Sequence, residues 1–214
     1  MPKIDYRLKD GTKVSGVTTV IGSNVGWSKN QLVYWAWNLG MQQIDYKKTS
    51  EKAMSAGTIA HEMIEKDLKN EKLVRPSDVA TEIIDKAETA FLSWLEWKDR
   101  MKFTLEKSEL SLVSEQYQFG GTIDFIPLID GKLSIFDFKT GSGIYEDHLL
   151  QVSAYRELMR EAGMETPGGI HILNLGKEDA SFKHFFWQSL PEAWEAFLAA
   201  LKLHNIHKSL KKMV

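Results

Sequence analysis

Helical spacing of apolar residues dominates the first half of the chain. It predicts helices over three segments, which are Gln31–Gly40, residues 58–70 directly after Gly57, and a long segment from Ser77 or Asp78 to about Met101. The long helix is expected to be capped by Ser77. Its buried stripe is expected to consist of Ile84, Ala87, Phe91, Trp94 and Leu95. Before these helices, the segment Val14–Ile21 is typical of a short strand.

Apolar and polar residues then alternate, which is the pattern of strands. Strands are predicted over Leu110–Phe119, Gly120–Leu128, Lys132–Thr140, Gly169–Leu175 and Phe182–Gln188. Helices are predicted from about Asp147 to Glu161 and over Pro191–Leu210. This order indicates an α/β or α+β fold with a central mixed sheet flanked by helices. No repeat or linker divides the chain, so we expect one domain over residues 1–214, with a helical N-terminal part and a basic C-terminal helix.

The dipeptide Asp130-Gly131 predicts a tight hairpin between two of these strands. Asp-Gly between alternating apolar runs favours a two-residue type I′ turn, because glycine tolerates a positive φ. With this turn, Ile129 pairs with Lys132. A bulge would shift the register by one residue.

Continuing this register places two aspartates face to face, Asp124 opposite Asp137, with Thr122 opposite Lys139 in the next row. Like charges directly opposite are destabilising, so the pair needs a shared proton or a bound cation. Mg2+ takes carboxylate oxygens together with phosphate oxygens of a substrate. On the same face, Lys139 can orient or deprotonate an attacking water, or stabilise developing charge. An exposed Asp–Asp–Lys network that merely neutralises itself is the alternative.

Composition restricts the class of protein. Hydrophobic residues make up 43% of the chain and charged residues 26%, which is ordinary for a globular domain. The absence of cysteine excludes disulfides, zinc–thiolate sites and iron–sulfur clusters. The polar N-terminus does not resemble a signal peptide, and no apolar run approaches the ~18 residues of a membrane span. We therefore expect a soluble, cytoplasmic protein with no membrane partner.

Charge is unevenly distributed, although the net charge is only −2. Residues 1–52 carry 8 basic and 4 acidic side chains, residues 104–199 carry 7 and 15, and residues 200–214 carry 4 and none. Basic ends around an acidic middle are typical of a nucleic-acid surface around a cation site, and equally of a solvated surface with a basic tail. The basic patches consist of Lys47, Lys48 and Lys52, and of Lys208, Lys211 and Lys212.

Several motifs in a fixed order resemble the PD-(D/E)XK nuclease superfamily. They are Gly57-Thr-Ile-Ala-His61, Gly120-Gly-Thr-Ile-Asp124, Asp137-Phe-Lys139-Thr-Gly141 and Gln151-Val-Ser-Ala-Tyr155. The first is similar to the histidine motif of the RecB-type and phage exonuclease branch. In addition, Trp35-Ala-Trp37-Asn-Leu-Gly40 resembles the helix at the entrance of the active site in its phage members. The similarity runs from about residue 15 to residue 160.

The resemblance implies a restriction-endonuclease-like core and a metal site. Asp124, Asp137 and the Phe138 carbonyl would be metal ligands, with His61 as a further ligand, and Lys139 would be the catalytic lysine. The cofactor would be one or two Mg2+ or Mn2+ ions, without an iron–sulfur cluster.

The resemblance also implies supporting residues. Gln151 and Tyr155 would support the site or contact DNA. The upstream catalytic glutamate of the family is best matched by Glu109, which lies at a suitable distance before the Gly-Gly-Thr-Ile-Asp motif. The alternative is Glu115, which lies nearer the turn. We expect Lys47, Lys48 and Lys52 to contact the DNA strand.

Together these features predict a metal-dependent DNA exonuclease acting on single strands or duplex ends in replication, recombination or repair. A phage-encoded enzyme acting in the host cytoplasm fits the same features. The alternatives are a structure-specific endonuclease of the same fold, a non-catalytic nucleic-acid-binding protein, and a glycosidase that uses Asp124 and Asp137. Four other histidines, His171, His184, His204 and His207, are expected to be strand or surface residues without partners.

Overall fold

The structure is a computed structural model that describes residues 4–27 and 29–214. Its helices are α1 (Val17–Asn24), α2 (Lys29–Met41), α3 (Tyr46–Leu68), α4 (Thr81–Arg100), α5 (Glu146–Glu161) and α6 (Pro191–Leu210). Its strands are β1 (Ser15–Gly16), β2 (Thr104–Ser114), β3 (Phe119–Ile129), β4 (Lys132–Leu133), β5 (Ile135–Lys139), β6 (Ile170–Leu175) and β7 (Phe182–Trp187). They form one mixed sheet in the order β1–β3–β5–β6–β7, with β2 and β4 also paired to β3. The predicted α/β architecture is confirmed.

The sheet is buried on both faces. On one face, Ile123, Ile126 and Ile135 pack against α1, α5 and α6. On the other face, Phe125 and Phe136 pack with residues of α3 and α4, including Trp94 and Trp97. A strand buried on both faces is apolar at successive positions, as β3 and β5 are. A carboxylate inside such a strand, as at Asp124 or Asp137, therefore stands out from its neighbours.

The register predicted for the hairpin is confirmed as far as Phe125, but the ladder does not continue to the predicted pairs Asp124–Asp137 and Thr122–Lys139, because Asp124 accepts from the Phe138 nitrogen instead. Ile129 pairs with Lys132, and Phe125 pairs with Phe136 further along. Asp130 and Gly131 have φ values of 49° and 75°, as a type I′ turn requires. The strand expected over Lys132–Thr140 is interrupted at Ser134, which separates β4 from β5, and Thr140 lies beyond its end.

The helix that carries His61 is longer than the sequence suggested. It begins at Tyr46 rather than after Gly57, because the Asp45 carboxylate accepts hydrogen bonds from the main-chain nitrogens of Lys47 and Lys48 and caps the helix there. Gly57 is an interior position of α3, where a β-carbon would lie 2.9 Å from Thr140 Oγ1. Glycine here allows the helix to approach the loop that follows β5.

Three other boundaries were predicted wrongly, each for a physical reason. Only Ser15–Gly16 of the segment Val14–Ile21 is a strand, because Val17, Val20 and Ile21 have helical spacing and are buried on the core face of α1. The strand expected over Leu110–Phe119 contains the turn between β2 and β3. That turn has no glycine or proline and is held by the Ser114 hydroxyl, which accepts from the Tyr117 nitrogen at 2.8 Å.

Helix α4 also differs from the prediction in its start and in its buried stripe. Its N-cap is Ala80 rather than Ser77, because the Ala80 carbonyl accepts the first main-chain hydrogen bonds of the helix, from the nitrogens of Ile83 and Ile84. Leu95 is 37% exposed, whereas Trp97, which the prediction omitted, is 1% exposed and stacks on Trp94.

Helix α2 confirms the helix predicted over Gln31–Gly40, although it ends at Met41. No residue of α2 is buried, and its exposed side chains include Val33, Tyr34, Trp37 and Met41. Among the described residues, no helix is long and apolar enough to cross a membrane.

Candidate active site

A cleft of about 970 Å³ lies where α3, the strands β3 and β5, helix α5 and the N-terminal segment meet. Its lining includes most of the residues that the motifs identified, which are His61, Glu109, Asp124, Asp137, Phe138, Lys139, Gln151 and Tyr155. These residues are distant in sequence, and the fold brings them to one cleft.

Asp124 lies on β3 where its ladder with β5 ends. The last pair is Phe125 with Phe136, and beyond it Asp124 Oδ2 accepts a hydrogen bond from the Phe138 main-chain nitrogen at 2.9 Å. The N–H and C=O of one strand residue point to the same side, so the Phe138 carbonyl also lies on the Asp124 side of β5. A carboxylate and a carbonyl oxygen therefore face the same space.

Asp137 is 1% exposed and is held by two polar side chains. Gln151 Nε2 donates to its Oδ1 at 3.0 Å, and Lys139 Nζ lies 2.6 Å from its Oδ2. The lysine contact is an ion pair without the geometry of a directed hydrogen bond, and Oδ2 is a buried oxygen with no hydrogen-bond donor. Burial raises the pKa of Asp137, with the Asp124 charge adding to this and the Lys139 charge opposing it. Oδ2 therefore has unused capacity to bind a cation.

Gln151 connects the acid and the lysine of the site. Its Oε1 accepts from Lys139 Nζ at 3.0 Å, and its Nε2 donates to the hydroxyl of Tyr155 at 2.8 Å as well as to Asp137. Gln151 and Tyr155 lie one turn apart on α5, so they point into the cleft together. Burial raises the pKa of Tyr155 well above its usual value, so its hydroxyl keeps its proton. This amide fixes the orientation of Asp137 relative to Lys139.

Glu109 lies on β2, next to Asp124 of the neighbouring strand β3. Its neighbours Ser108 and Leu110 pair with Phe125 and Ile123, which flank Asp124 on β3. Its φ of 50° is unusual for a residue other than glycine within a strand.

The surroundings of Glu109 make its charge costly. Burial, with the charge of Asp124 as the next contribution, raises the pKa of Glu109 to about 7. Glu115 lies elsewhere, at the hairpin turn, where its Oε1 accepts from the Lys9 main-chain nitrogen at 2.8 Å. The structure thus places Glu109, and not Glu115, beside the aspartates.

His61 reaches the cleft from α3. Its Nδ1 lies 3.6 Å from Asp124 Oδ2, and its ring packs edge-on against Phe138. Glu65, one turn further along α3, pairs with Lys69 instead of lining the cleft. Of these two helical residues, only His61 is positioned to contact the same metal ion as Asp124.

The residues fit a hard divalent cation, although they do not form a complete cage. The carboxylates of Asp124, Asp137 and Glu109 line one cleft. Burial, with the charge of Asp124 adding to it, raises the pKa of Glu109 and of Asp137, and Asp137 Oδ2 has a free lone pair. Within residues 4–27 and 29–214, no three His, Asp or Glu side chains converge in the arrangement of a metal site. Here the Lys139 ammonium neutralises Asp137. A cation bound to Asp137 would take over that neutralisation and release Lys139.

The three lysines expected to contact DNA are not equivalent. Lys47 and Lys48 are exposed in the first turn of α3, rather than before the helix. Lys52 pairs with Glu82 of α4 at 3.1 Å. Only Lys47 and Lys48 therefore present charges that are not already paired with a carboxylate among the described residues.

Two polar residues near the site were not predicted from the sequence. Asn174, on β6 beside Lys139, donates to the carbonyls of Lys139 and Gly141 when its amide nitrogen is turned toward β5. Lys177, in the loop after β6, lines the cleft and donates to the Ala53 carbonyl at 3.3 Å. Burial lowers the pKa of Lys177. Both residues reach the site through contacts with segments distant in sequence, so no local sequence motif identifies them.

The expectation that the other histidines lack partners is wrong for three of them. His171 Nδ1 lies 2.9 Å from His184 Nε2, and His184 Nδ1 accepts from Trp97 Nε1 at 3.2 Å. His204 contacts Ser15 Oγ at 2.9 Å and Asn24 Nδ2 at 3.1 Å. They are structural residues whose partners lie on distant segments.

Comparison with known proteins identifies the family. A search of curated protein sequences found no significant match. The model of the PD-(D/E)XK nuclease superfamily matches residues 35–210, which is most of the chain and includes the cleft residues on α3, β2, β3, β5 and α5. Members of this superfamily act on nucleic acids and typically use divalent metal ions. The protein belongs to the PD-(D/E)XK nuclease superfamily.

Proposed function

We propose that the protein is a Mg2+- or Mn2+-dependent deoxyribonuclease that hydrolyses phosphodiester bonds as an exonuclease. The observation that carries this proposal is the arrangement of Asp124, Asp137 and Lys139 with Gln151 between acid and lysine. A nucleic-acid substrate follows from the family, and the choice of DNA follows from the motif similarity to RecB-type and phage exonucleases.

The metal ligands in this proposal are Asp124, Asp137 and the Phe138 carbonyl, with His61 and Glu109 beside them. A bound Mg2+ or Mn2+ would lower the pKa of a coordinated water and polarise the phosphate. The chain contributes the carboxylates that would hold the ion, and His61 Nδ1 lies 3.6 Å from Asp124 Oδ2, beside the same position. Glu109, whose pKa is near neutrality, ionises more readily once a cation offsets the charge of Asp124.

Lys139 is the proposed catalytic lysine. Its side chain is 18% exposed, so the ammonium lies at the boundary between the buried carboxylates and the cleft. There it can hydrogen-bond the attacking water or stabilise negative charge on the phosphate in the transition state. Gln151 holds the ammonium within reach of Asp137, which is a positioning role.

The substrate DNA strand is proposed to run along α3 toward the N-terminus of that helix. Ser50, Met54 and Gly57, at helical spacing, line the cleft together with His61. Ser50 precedes His61 by 11 residues, so about 16 Å of helix separates them. Lys177 beside this path and Lys47 and Lys48 beyond it supply positive charge for neighbouring phosphates.

The exonuclease proposal is tested by substrate topology. With Mg2+ or Mn2+, the protein should degrade end-labelled linear single-stranded or duplex DNA and leave covalently closed circles intact. Cleavage of circular DNA would instead support the alternative, a structure-specific endonuclease. DNA binding without cleavage of any substrate would support the non-catalytic alternative. The proposed setting is replication, recombination or repair of cellular or phage DNA.

A further inference from the structure

The N-terminal segment forms a wall of the cleft that the family match does not include. Eight of the 25 residues that line the cleft lie between positions 4 and 19, whereas the family match begins at residue 35. None of these eight is acidic. They include Tyr6, Ser15, Thr18 and Thr19, which supply hydroxyl groups, and Lys13, whose ammonium is ion-paired with the exposed carboxylate of Asp5. This wall differs in charge from the part of the cleft that carries Glu109, Asp124 and Asp137.

Tyr6 is fixed on this wall by close packing. A β-carbon at Gly120, on β3, would overlap its ring, so the Gly120 position leaves the space that the ring fills. Residues 6–14 form a hairpin. In it the Tyr6 carbonyl accepts from the Val14 main-chain nitrogen at 3.0 Å, and Arg7 pairs with Lys13. The ring therefore lies flat on β3, with its hydroxyl directed along that strand.

The Tyr6 hydroxyl belongs to a chain of three hydroxyl groups. It lies 2.9 Å from Thr122 Oγ1, which is 2.8 Å from Ser111 Oγ. Thr122 is two residues before Asp124 on β3, a separation of about 7 Å along the strand, and both residues line the cleft. The hydroxyl chain thus forms the row next to the carboxylates.

The number of protons on the three hydroxyl groups leaves one that can be donated in a hydrogen bond to a ligand. Three hydroxyls carry three protons, and the two hydrogen bonds between them use two. When Ser111 donates to Thr122 and Thr122 donates to Tyr6, the Tyr6 proton is free to point into the cleft. Burial raises the pKa of Tyr6, so the hydroxyl carries this proton at neutral pH.

We propose that Tyr6, Thr122 and Lys13 form a subsite for a phosphate group of the substrate strand. This inference rests on the proposed function. A phosphate accepts a hydrogen bond from the Tyr6 hydroxyl. The Lys13 ammonium is paired with Asp5 in an exposed ion pair, which is weak, so a phosphate can share that ammonium, whereas the carboxylates of the cleft repel it. Because about 7 Å separates the hydroxyl row from the Asp124 row, this phosphate is a neighbour of the one that is cleaved. The N-terminal segment thereby adds a contact that the matched region does not supply.

The test compares Tyr6→Phe with the native protein. This change removes one hydroxyl and leaves the ring in its place. With Ca2+ replacing Mg2+, the Kd for a short single-stranded DNA should rise about tenfold, as expected for loss of a hydrogen bond to a charged group. With Mg2+, KM should rise by a similar factor while kcat stays within about twofold. The matched control is Tyr117→Phe, since Tyr117 packs against Trp194 and does not line the cleft.

A second pair of variants tests the charge. Lys13→Gln should flatten the dependence of log affinity on log salt by at most about 0.7, because Asp5 already neutralises part of the Lys13 charge. Lys9→Gln, in the same hairpin but outside the lining of the cleft, should leave the slope unchanged.

Several results would overturn the subsite. They are a native Kd and KM in Tyr6→Phe, a loss confined to kcat, or an equal loss in Tyr117→Phe. Failure of the native protein to bind or cleave DNA would reject the proposed function together with the subsite. Normal cleavage by the native protein with no effect of Tyr6→Phe would reject the subsite alone.

Discussion

The Asp124 carboxylate accepts a hydrogen bond from the Phe138 main-chain nitrogen at 2.9 Å. This contact continues the link between β3 and β5 beyond the last pair of their ladder. It also fixes the Asp124 oxygens beside β5, where Asp137 and Lys139 flank Phe138. The carboxylates are therefore held near each other before any cation binds, which leads to the first prediction.

Asp124→Asn and Asp137→Asn should each abolish cleavage while leaving the metal-free protein as stable as the native one or more stable. The folded-state pKa of Asp137 is raised by burial, so its charge at pH 7 opposes folding, and a neutral amide removes that cost. Asparagine retains an oxygen that can accept from Gln151 or from Phe138. Thermal unfolding in chelator measures this. A large loss of stability in both variants would show that the carboxylates are structural.

Lys139→Gln should lower turnover by roughly 10²–10⁴-fold. DNA binding with Ca2+ should stay within a few-fold, because the lysine is proposed to act in the chemical step. Lys183→Gln, on β7 and outside the cleft lining, is the matched control. Near-native turnover of the Lys139 variant under single-turnover conditions would remove the lysine from the mechanism.

His61→Ala should raise the Mn2+ concentration needed for half-maximal activity by roughly 10–100-fold, or abolish activity. The reason is the 3.6 Å separation of His61 Nδ1 from Asp124 Oδ2, which lets the ring ligate the same ion or orient that carboxylate. The control is His207→Ala, because His207 is an exposed residue of α6. An unchanged Mn2+ titration with a native rate would leave His61 as a packing residue against Phe138.

Acid should destabilise the fold through the His171–His184 pair. Trp97 donates to His184 Nδ1, so His184 donates through Nε2 to His171 Nδ1, and a proton added to either ring disrupts this order. Burial lowers the pKa of His171 from 6.5 to about 4. A lowered folded-state pKa means that this stability is present above pH 6.5 and is lost as the pH falls toward 4.

The measurement for this pair is the free energy of unfolding across that range, in chelator. His171→Phe keeps a ring that can stack on Phe136 and should flatten the loss between pH 6.5 and pH 4. His207→Gln should leave the loss unchanged. An equally steep loss in His171→Phe would assign the acid sensitivity to other groups.

Local chemistry explains which parts of the fold could be predicted. The hairpin at Asp130-Gly131 sets its own register through two positive φ values, so the pairing as far as Phe125 and Phe136, next to Asp124 and Asp137, followed from a few residues. The motifs around His61 and Gln151 lie on single helices, where spacing alone determines which side chains share a face.

The remaining features depend on contacts between distant segments. Tyr6 and Thr122 are separated by 116 positions, and the space that the Tyr6 ring occupies is left by a glycine on another strand. The start of α3 depended on the single carboxylate of Asp45, and the helical conformation of Val17–Asn24 on packing against α5 and α6. No periodicity in the sequence encodes such contacts.

The most direct test of the central claim is cleavage of end-labelled DNA by the native protein and by Asp124→Asn, with Mg2+, with Mn2+, and with chelator. Only the native protein with Mg2+ or Mn2+ should release labelled product, and Asp124→Asn should remain folded but inactive with either metal. Cleavage that persists in chelator, or an Asp124→Asn protein that cleaves at the native rate, would contradict that claim.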